Sequence, residues 1–243
     1  EGFELYFQPI YNTDDDSLSG AEALIRWNSR KYGFIGPNTF IPLLEDSALI
    51  IPLGRWIINT AAKACNRWIT SIPDFVMHIN LSFVQIVKSN IVKDVLENIE
   101  RYSAANNHYV FEITETIEMD QIPAVQNVFK EFVKNEFRFA IDDFGTGYSN
   151  YGYMRDRTFD IVKVDRSFVT DIDKLKDNYL MVSFIIKMAH EMGLHVCIEG
   201  VETKEELSCV KKLGADYIQG YYYGKPVCLQ DFEEQHLKRF VLG

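Results

Sequence analysis

The stretch YVFEITETIEMDQIPAVQNVFKEFVKNEFRFAIDD, residues 109–143, carries one complete structural unit. Tyr109 to Ile113 and Phe137 to Ile141 are short apolar runs rich in aromatic and β-branched residues, which predicts strands. Between them, Pro123 to Asn135 has the apolar spacing of a helix. Strand, helix and strand in that order build a parallel sheet with helices on its faces. Polar groups interrupt the pattern at informative points: Glu112 sits inside the first apolar run, and Asp142 and Asp143 stand side by side where the second ends.

The alternation extends in both directions. Further strands are predicted at Glu4 to Ile10, Leu18 to Ile25, Val76 to Ile79, Ile161 to Val164, His195 to Ile198 and Tyr217 to Gln219. Further helices are predicted at Pro37 to Asp46, Leu53 to Trp68, Ser82 to Arg101, Asp173 to Met192 and Lys204 to Leu213, with a shorter one near Ser149 to Asp156. Eight strands joined mostly by helices in 243 residues point to an α/β fold of the (β/α)8 TIM-barrel type. An open doubly wound sheet is the alternative. Against it, no G-x-G-x-x-G or G-x-x-x-x-G-K-[ST] follows a strand. The linker YNTDDDSLSG, residues 11–20, is too short for a helical crossover, so the first two strands should form an antiparallel hairpin and the barrel should be irregular at its start.

The chain is 47% hydrophobic and 14% aromatic, ample for a core. No repeat, low-complexity tract or flexible linker marks a boundary, so residues 1–243 read as one domain. Glu1 is not an initiator Met and a strand begins almost at once, so a segment of a longer protein is expected. No apolar run approaches a membrane span and no leader pattern is present, which fits a soluble, cytoplasmic domain without membrane contact. Cys65, Cys197, Cys209 and Cys228 are widely spaced and read as reduced thiols. A net charge of −10, from 35 acids against 25 bases, argues against a nucleic-acid polymer as partner.

If a barrel forms, the strand ends share one mouth, where chemistry is expected. Glu22, Asn80, Glu112, Asp142, Asp143, Lys163, Glu199 and Gln219 all lie in or at the ends of predicted strands. Each acid alone has a bland reading as a helix cap or turn residue. Together they are harder to dismiss, because Glu22, Glu112 and Lys163 occupy positions where a core side chain is expected, and buried charges are costly unless paired or metal-bound. Converging carboxylates with no His or Cys select hard ions such as Mg²⁺ or Mn²⁺. Adjacent Asp142 and Asp143 suggest two ions about 3.5–4 Å apart, an arrangement that activates water against a phosphate ester. The five histidines form no spaced pair, and His78 reads as a packed core residue rather than a ligand.

The segments YFQPI, GAEALIRW, FIPLLEDS, HINLS, FEITET, IDDFGTGYSN, VKVDRSFV, IEGVET and QGYYYGKPV appear in this order across nearly the whole chain. In this set the sequence resembles the EAL-domain family of cyclic di-GMP phosphodiesterases. The resemblance implies hydrolysis of cyclic di-GMP to linear pGpG by in-line attack of a metal-activated water, lowering a bacterial second messenger. It implies one metal held by Glu22, Asn80, Glu112 and Asp142, with Asp142 bridging to a second beside Asp143. Glu199 is implied either as general base or as ligand of the second metal. Lys163 would position the attacking water, Gln219 would contact the metal-bound water network, and Glu115 would anchor the loop from Asp143 to Ser149. Gln8, Leu24 and Arg26 would line the substrate groove, Arg26 near a phosphate, and Asp165 would lie near a base or ribose. A homodimer and an upstream sensor or GGDEF-type domain are implied as well.

The chain departs from the family pattern in SNYGYMRDRTFDIVK, which has Asn150 and Tyr151 in place of a small polar residue and Leu and lacks the usual Leu-Pro; this bears on dimer geometry. Ile198 replaces a usually smaller residue before Glu199. Two other functions remain as alternatives: a cyclic di-GMP receptor without turnover, and an interaction domain recruiting a partner through its helices. The full set of ligand residues favours the enzyme. Elsewhere, DFG at 143–145 lacks the other kinase motifs, and Thr203 with Glu206 has the spacing of a helix-capping box.

Overall fold

The computed structural model describes residues 2–114, 123–146 and 158–237. Eight strands close into a barrel: β1 (Phe3–Asn12), β2 (Leu18–Ser29), β4 (Val76–Asn80), β5 (Tyr109–Thr114), β6 (Arg138–Phe144), β7 (Ile161–Val164), β8 (His195–Glu199) and β9 (Tyr217–Gln219). From β2 through β4 to β9 neighbours are parallel, while β1 is antiparallel to both β2 and β9 and completes the ring. Two short strands lie outside it, β3 (Gly33–Ile35) on β2 and β10 (Val227–Cys228) on β1. The expected barrel and its hairpin start are both present.

Helices α1 (Pro37–Asp46), α2 (Ile50–Trp68), α5 (Pro123–Lys134), α6 (Lys176–Glu191) and α7 (Lys204–Leu213) fall where the sequence predicts them, within a few residues. Thr203 and Glu206 form the anticipated reciprocal cap of α7. The predicted helix from Ser82 to Arg101 is instead two, α3 (Phe83–Lys88) and α4 (Ile91–Ile99). Ser89 takes an extended conformation and ends the first, and the side chain of Asn90 accepts from Lys93 N and starts the second. After β10, α8 (Leu229–Phe232) and a π-helical turn (Glu233–Leu237) return the chain to the barrel wall, where Phe232 stacks on Trp68 at 4.6 Å between ring centroids. The predicted helix near 149–156 lies outside the described residues. All four cysteines are free thiols, and among the described residues no helix is long and apolar enough to cross a membrane.

Two hydrophobic clusters divide the core. The larger fills the layer between strands and helices. The smaller, Ile10, Val110, Ala140, Ile161 and Cys197 with Val76 and Tyr217 against it, takes one residue from each of seven barrel strands and plugs the interior. Side chains of a strand repeat a face every second residue. Two steps along each parallel strand from that plug stand His78, Glu112, Asp142, Lys163, Glu199 and Gln219, and on the reversed β1, Gln8. The polar layer thus rests on an apolar floor.

Candidate active site

Lys163 is the hub of the polar layer. Its fully buried Nζ lies 2.7 Å from Glu199 Oε1, 2.8 Å from Glu112 Oε2, and 3.3 Å from both Glu22 Oε2 and Asp142 Oδ1. Burial alone would discourage its charge, but Asp142, Glu112, Glu199 and Glu22 outweigh that and hold its pKa well above the usual value. It is therefore a fixed cation.

Amide and imidazole groups pin the carboxylates around it. Glu22 accepts from Asn80 Nδ2 at 2.6 Å on one oxygen and from Gln219 Nε2 at 2.6 Å on the other. Burial opposes ionisation of Glu22, yet Lys163 and these donors hold its pKa at about 2. Glu112 meets Lys163 on one oxygen and His78 Nδ1, at 2.7 Å, on the other. Burial, then the charge of Lys163, lowers His78 to about 3, so the ring is neutral and its Nδ1–H can donate. His78 is buried, as expected, but it also holds a site carboxylate.

One lysine does not balance the acids. Burial, then the charges of Glu22 and Asp142, raises Glu112 well above the ordinary carboxylate range. Burial lifts Glu199 to about 8, with Asp142 and Glu22 adding to the shift against Lys163, and lifts Asp143 to about 6, with Asp142 and Asp165 adding. Asp142, Asp143 and Glu199 each offer an oxygen within 4.8 Å of the others. Gln219 Oε1 is buried with no hydrogen-bond partner among the described residues. Oxygen donors, excess negative charge and an unused buried acceptor fit a hard divalent cation.

A local break in the sheet explains how two consecutive aspartates serve one site. Strict alternation would turn Asp143 away from Asp142. The β6–β7 register shifts between Ile141 and Phe144, so Ile141 to Phe144 oppose Val162 to Val164, and the additional residue makes a β-bulge. Asp143 adopts φ 54° there, and Gly145 follows at φ 95°, where a Cβ would press on the Phe168 ring. The bulge re-aims Asp143 toward the mouth.

Substrate positions expected from the sequence lie on two sides of this layer. Gln8 pairs with Glu22 across β1 and β2, and its Oε1 accepts from Gln219 Nε2 at 3.1 Å. Leu24 and Arg26 continue up β2, both half-buried, with Arg26 5.7 Å above the Tyr6 ring. Asp165, after β7, caps the next turn through Ser167 N at 2.9 Å. Glu115 and residues 147–149 of the loop lie outside the described residues. Of the predicted site residues that are described, all but Leu24, Arg26 and Asp165 belong to the linked polar layer or to the Asp142, Asp143 and Glu199 cluster.

The EAL domain family matches residues 1–226. The chain belongs to that family. A Synechocystis sp. protein, sll1895, is 34% identical to this EAL domain over 246 residues, covering 99% of this chain and 35% of the relative. The probable cyclic di-GMP phosphodiesterase PdeG of Escherichia coli K12 is 32% identical over 227 residues, covering 93% of this chain and 45% of PdeG. The solved structure of the EAL enzyme Bd1971 in its cAMP and cyclic-di-GMP bound form superimposes with a TM-score of 0.91 at 36% identity, covering 96% of this chain and 64% of that one. The chain spans less than half the length of either curated relative.

Proposed function

We propose that this EAL domain is a divalent-metal-dependent phosphodiesterase that hydrolyses one ester bond of cyclic di-GMP to give linear pGpG, lowering that second messenger in bacterial signalling. The observation that carries the reading is five carboxylates, Glu22, Glu112, Asp142, Asp143 and Glu199, gathered at one barrel mouth with a single buried lysine to balance them. The activity in PdeG's name and the nucleotide bound to Bd1971 support the substrate.

Two ions, Mg²⁺ or Mn²⁺, would suit the donor set: Glu22, Asn80, Glu112 and Asp142 would hold one, and Asp142 with Asp143 the other, leaving Glu199 beside them as the base. When bound, such ions supply acidity to water and neutralise charge on the phosphate. The protein does the rest. Arg26 and Gln8 orient the dinucleotide against the mouth, Leu24 flanks it, and Asp165 faces its base or ribose. Lys163 fixes the carboxylates and the attacking water. Glu199 accepts that water's proton as the oxygen bonds to phosphorus; the opposite P–O bond breaks, and the departing oxygen becomes a hydroxyl with a proton from solvent.

The same reading takes residues 1–243 as one domain acting as a homodimer in the cytoplasm, with an upstream sensor or GGDEF-type domain in the longer protein. Exposed Leu180, Met181 and Phe184 on α6 support the dimer. The test is incubation with cyclic di-GMP and Mg²⁺ or Mn²⁺, with EDTA and D142N controls, and chromatographic separation of nucleotides. Metal-dependent pGpG lost in both controls supports the proposal; tight binding without product refutes it in favour of a receptor.

A further inference from the structure

His78 and Asn80 stand two residues apart on β4 and point to the same side of the sheet. They serve opposite neighbours. Asn80 donates to Glu22 on β2 at 2.6 Å, and His78 meets Glu112 on β5 at 2.7 Å. The register pairs His78 with both Glu22 and Val110, two residues below the pairing of Asn80 with Glu112, so its ring reaches up to Glu112 from beneath. His78 is only 4% exposed and sits within the barrel wall, where an aliphatic side chain would satisfy packing alone. A buried polar ring is retained at a cost unless its hydrogen bond is used.

We propose that His78 is a positioning residue for metal binding: its Nδ1–H fixes the rotamer of Glu112 and leaves the carboxylate facing the mouth. The inference rests on the two-metal phosphodiesterase reading. Glu112 is held between Lys163 on Oε2 and His78 on Oε1. Without the imidazole, one oxygen of a fully buried carboxylate has no donor, and the side chain can turn to find one. Hydrogen-bond partners of metal ligands commonly change metal affinity by about 10–100-fold when removed.

The experiment compares wild type with H78V, H78N and H78Q. Mn²⁺ alone is titrated calorimetrically into each EDTA-stripped, dialysed protein, with melting temperatures recorded in parallel. Asparagine places an amide N–H near the position of Nδ1; glutamine carries it farther out. The proposal expects Mn²⁺ affinity to fall about 10-fold or more in H78V and H78Q and to stay within about threefold of wild type in H78N. Turnover of cyclic di-GMP by the weakened variants should recover as Mn²⁺ is raised. Equal affinities in H78N and H78Q, or wild-type affinity in a folded H78V, overturn it. The Asn and Gln comparison stands even where H78V fails to fold. A wild type that binds Mn²⁺ without hydrolysis defeats the enzymatic reading while the binding series still judges His78; a wild type that binds no Mn²⁺ overturns both.

Discussion

Lys163 Nζ and Glu199 Oε1 lie 2.7 Å apart although Lys163 is level with Cys197 on β8, because Glu199 stands two residues farther along and leans back over the lysine. The same nitrogen meets three other carboxylates, so removing it leaves Glu22, Glu112 and Asp142 without their shared cation as well. Truncating one member of a buried ionic network costs about 3–5 kcal/mol. K163M should lose about that much in urea unfolding with EDTA and less in saturating Mg²⁺, with turnover down about 100-fold or more. Parent-like stability in EDTA would show that the lysine is not the counter-charge of this layer.

Glu199, raised from 4.5 to about 8, and Asp143, raised from 3.8 to about 6, keep protons in the native state that the unfolded chain has already released. Native proteins holding more protons than unfolded ones lose stability as pH rises. The metal-free domain should therefore melt at progressively lower temperature from about pH 6.5 to 8; below that range His78, held at about 3, works the other way, because the unfolded imidazole takes up a proton that the buried one does not. Ions that bind only the native state reverse the loss, so the Mn²⁺-induced rise in melting temperature should be larger at pH 8 than at pH 5.5. His195, raised through its hydrogen bond with Asp216, contributes in the same direction above pH 6.5, and H195N isolates that part. An EDTA profile that is flat from about pH 6.5 to 8 in H195N would mean that Glu199 is already ionised.

Asp143 combines a functional carboxylate with φ 54°, a region that Asn tolerates and β-branched residues do not. D143N should fold with near-parental stability yet lose most turnover. D143V should additionally lose about 1–3 kcal/mol. Thermal unfolding of the pair separates the two effects; equal stability would argue that the bulge is not strained.

Phe232 is fully buried against Trp68 and Phe7, and Glu233 next to it accepts from Trp68 Nε1 at 3.0 Å. F232A should cost about 3–5 kcal/mol in denaturant unfolding. A change below about 1 kcal/mol would mean that the segment rests on the barrel without bracing it.

Much of this fold is legible from periodicity, since the central strands are buried on both faces and read as unbroken apolar runs. Ile161–Val164, Tyr217–Gln219, Pro37–Asp46 and Lys204–Leu213 end where their residues predict. Misses occur where a local feature overrides a continuing stripe. Ser89 and Asn90 interrupt α3 and α4 although the apolar pattern runs on, and β2 continues to Ser29 because β3 pairs with it. The convergence of acids is visible in sequence because they stand in or at the ends of predicted strands; Glu112, Asp142 and Glu199 each follow a plug residue by two. The bulge that turns Asp143, and the bond between His78 and Glu112, depend on register between strands remote in the chain, which no local pattern encodes.

The reversed direction of β1 governs how this domain can be tethered. A first strand parallel to the rest would begin on the far side of the barrel, behind the apolar floor. Here Gly2 instead bonds to Asn28, six residues beyond Glu22 on β2, about 20 Å of extended chain. A neighbour fused ahead of β1 would therefore hang from the rim of the opening that admits substrate, and its swing could shade or clear that opening without any rearrangement of the barrel.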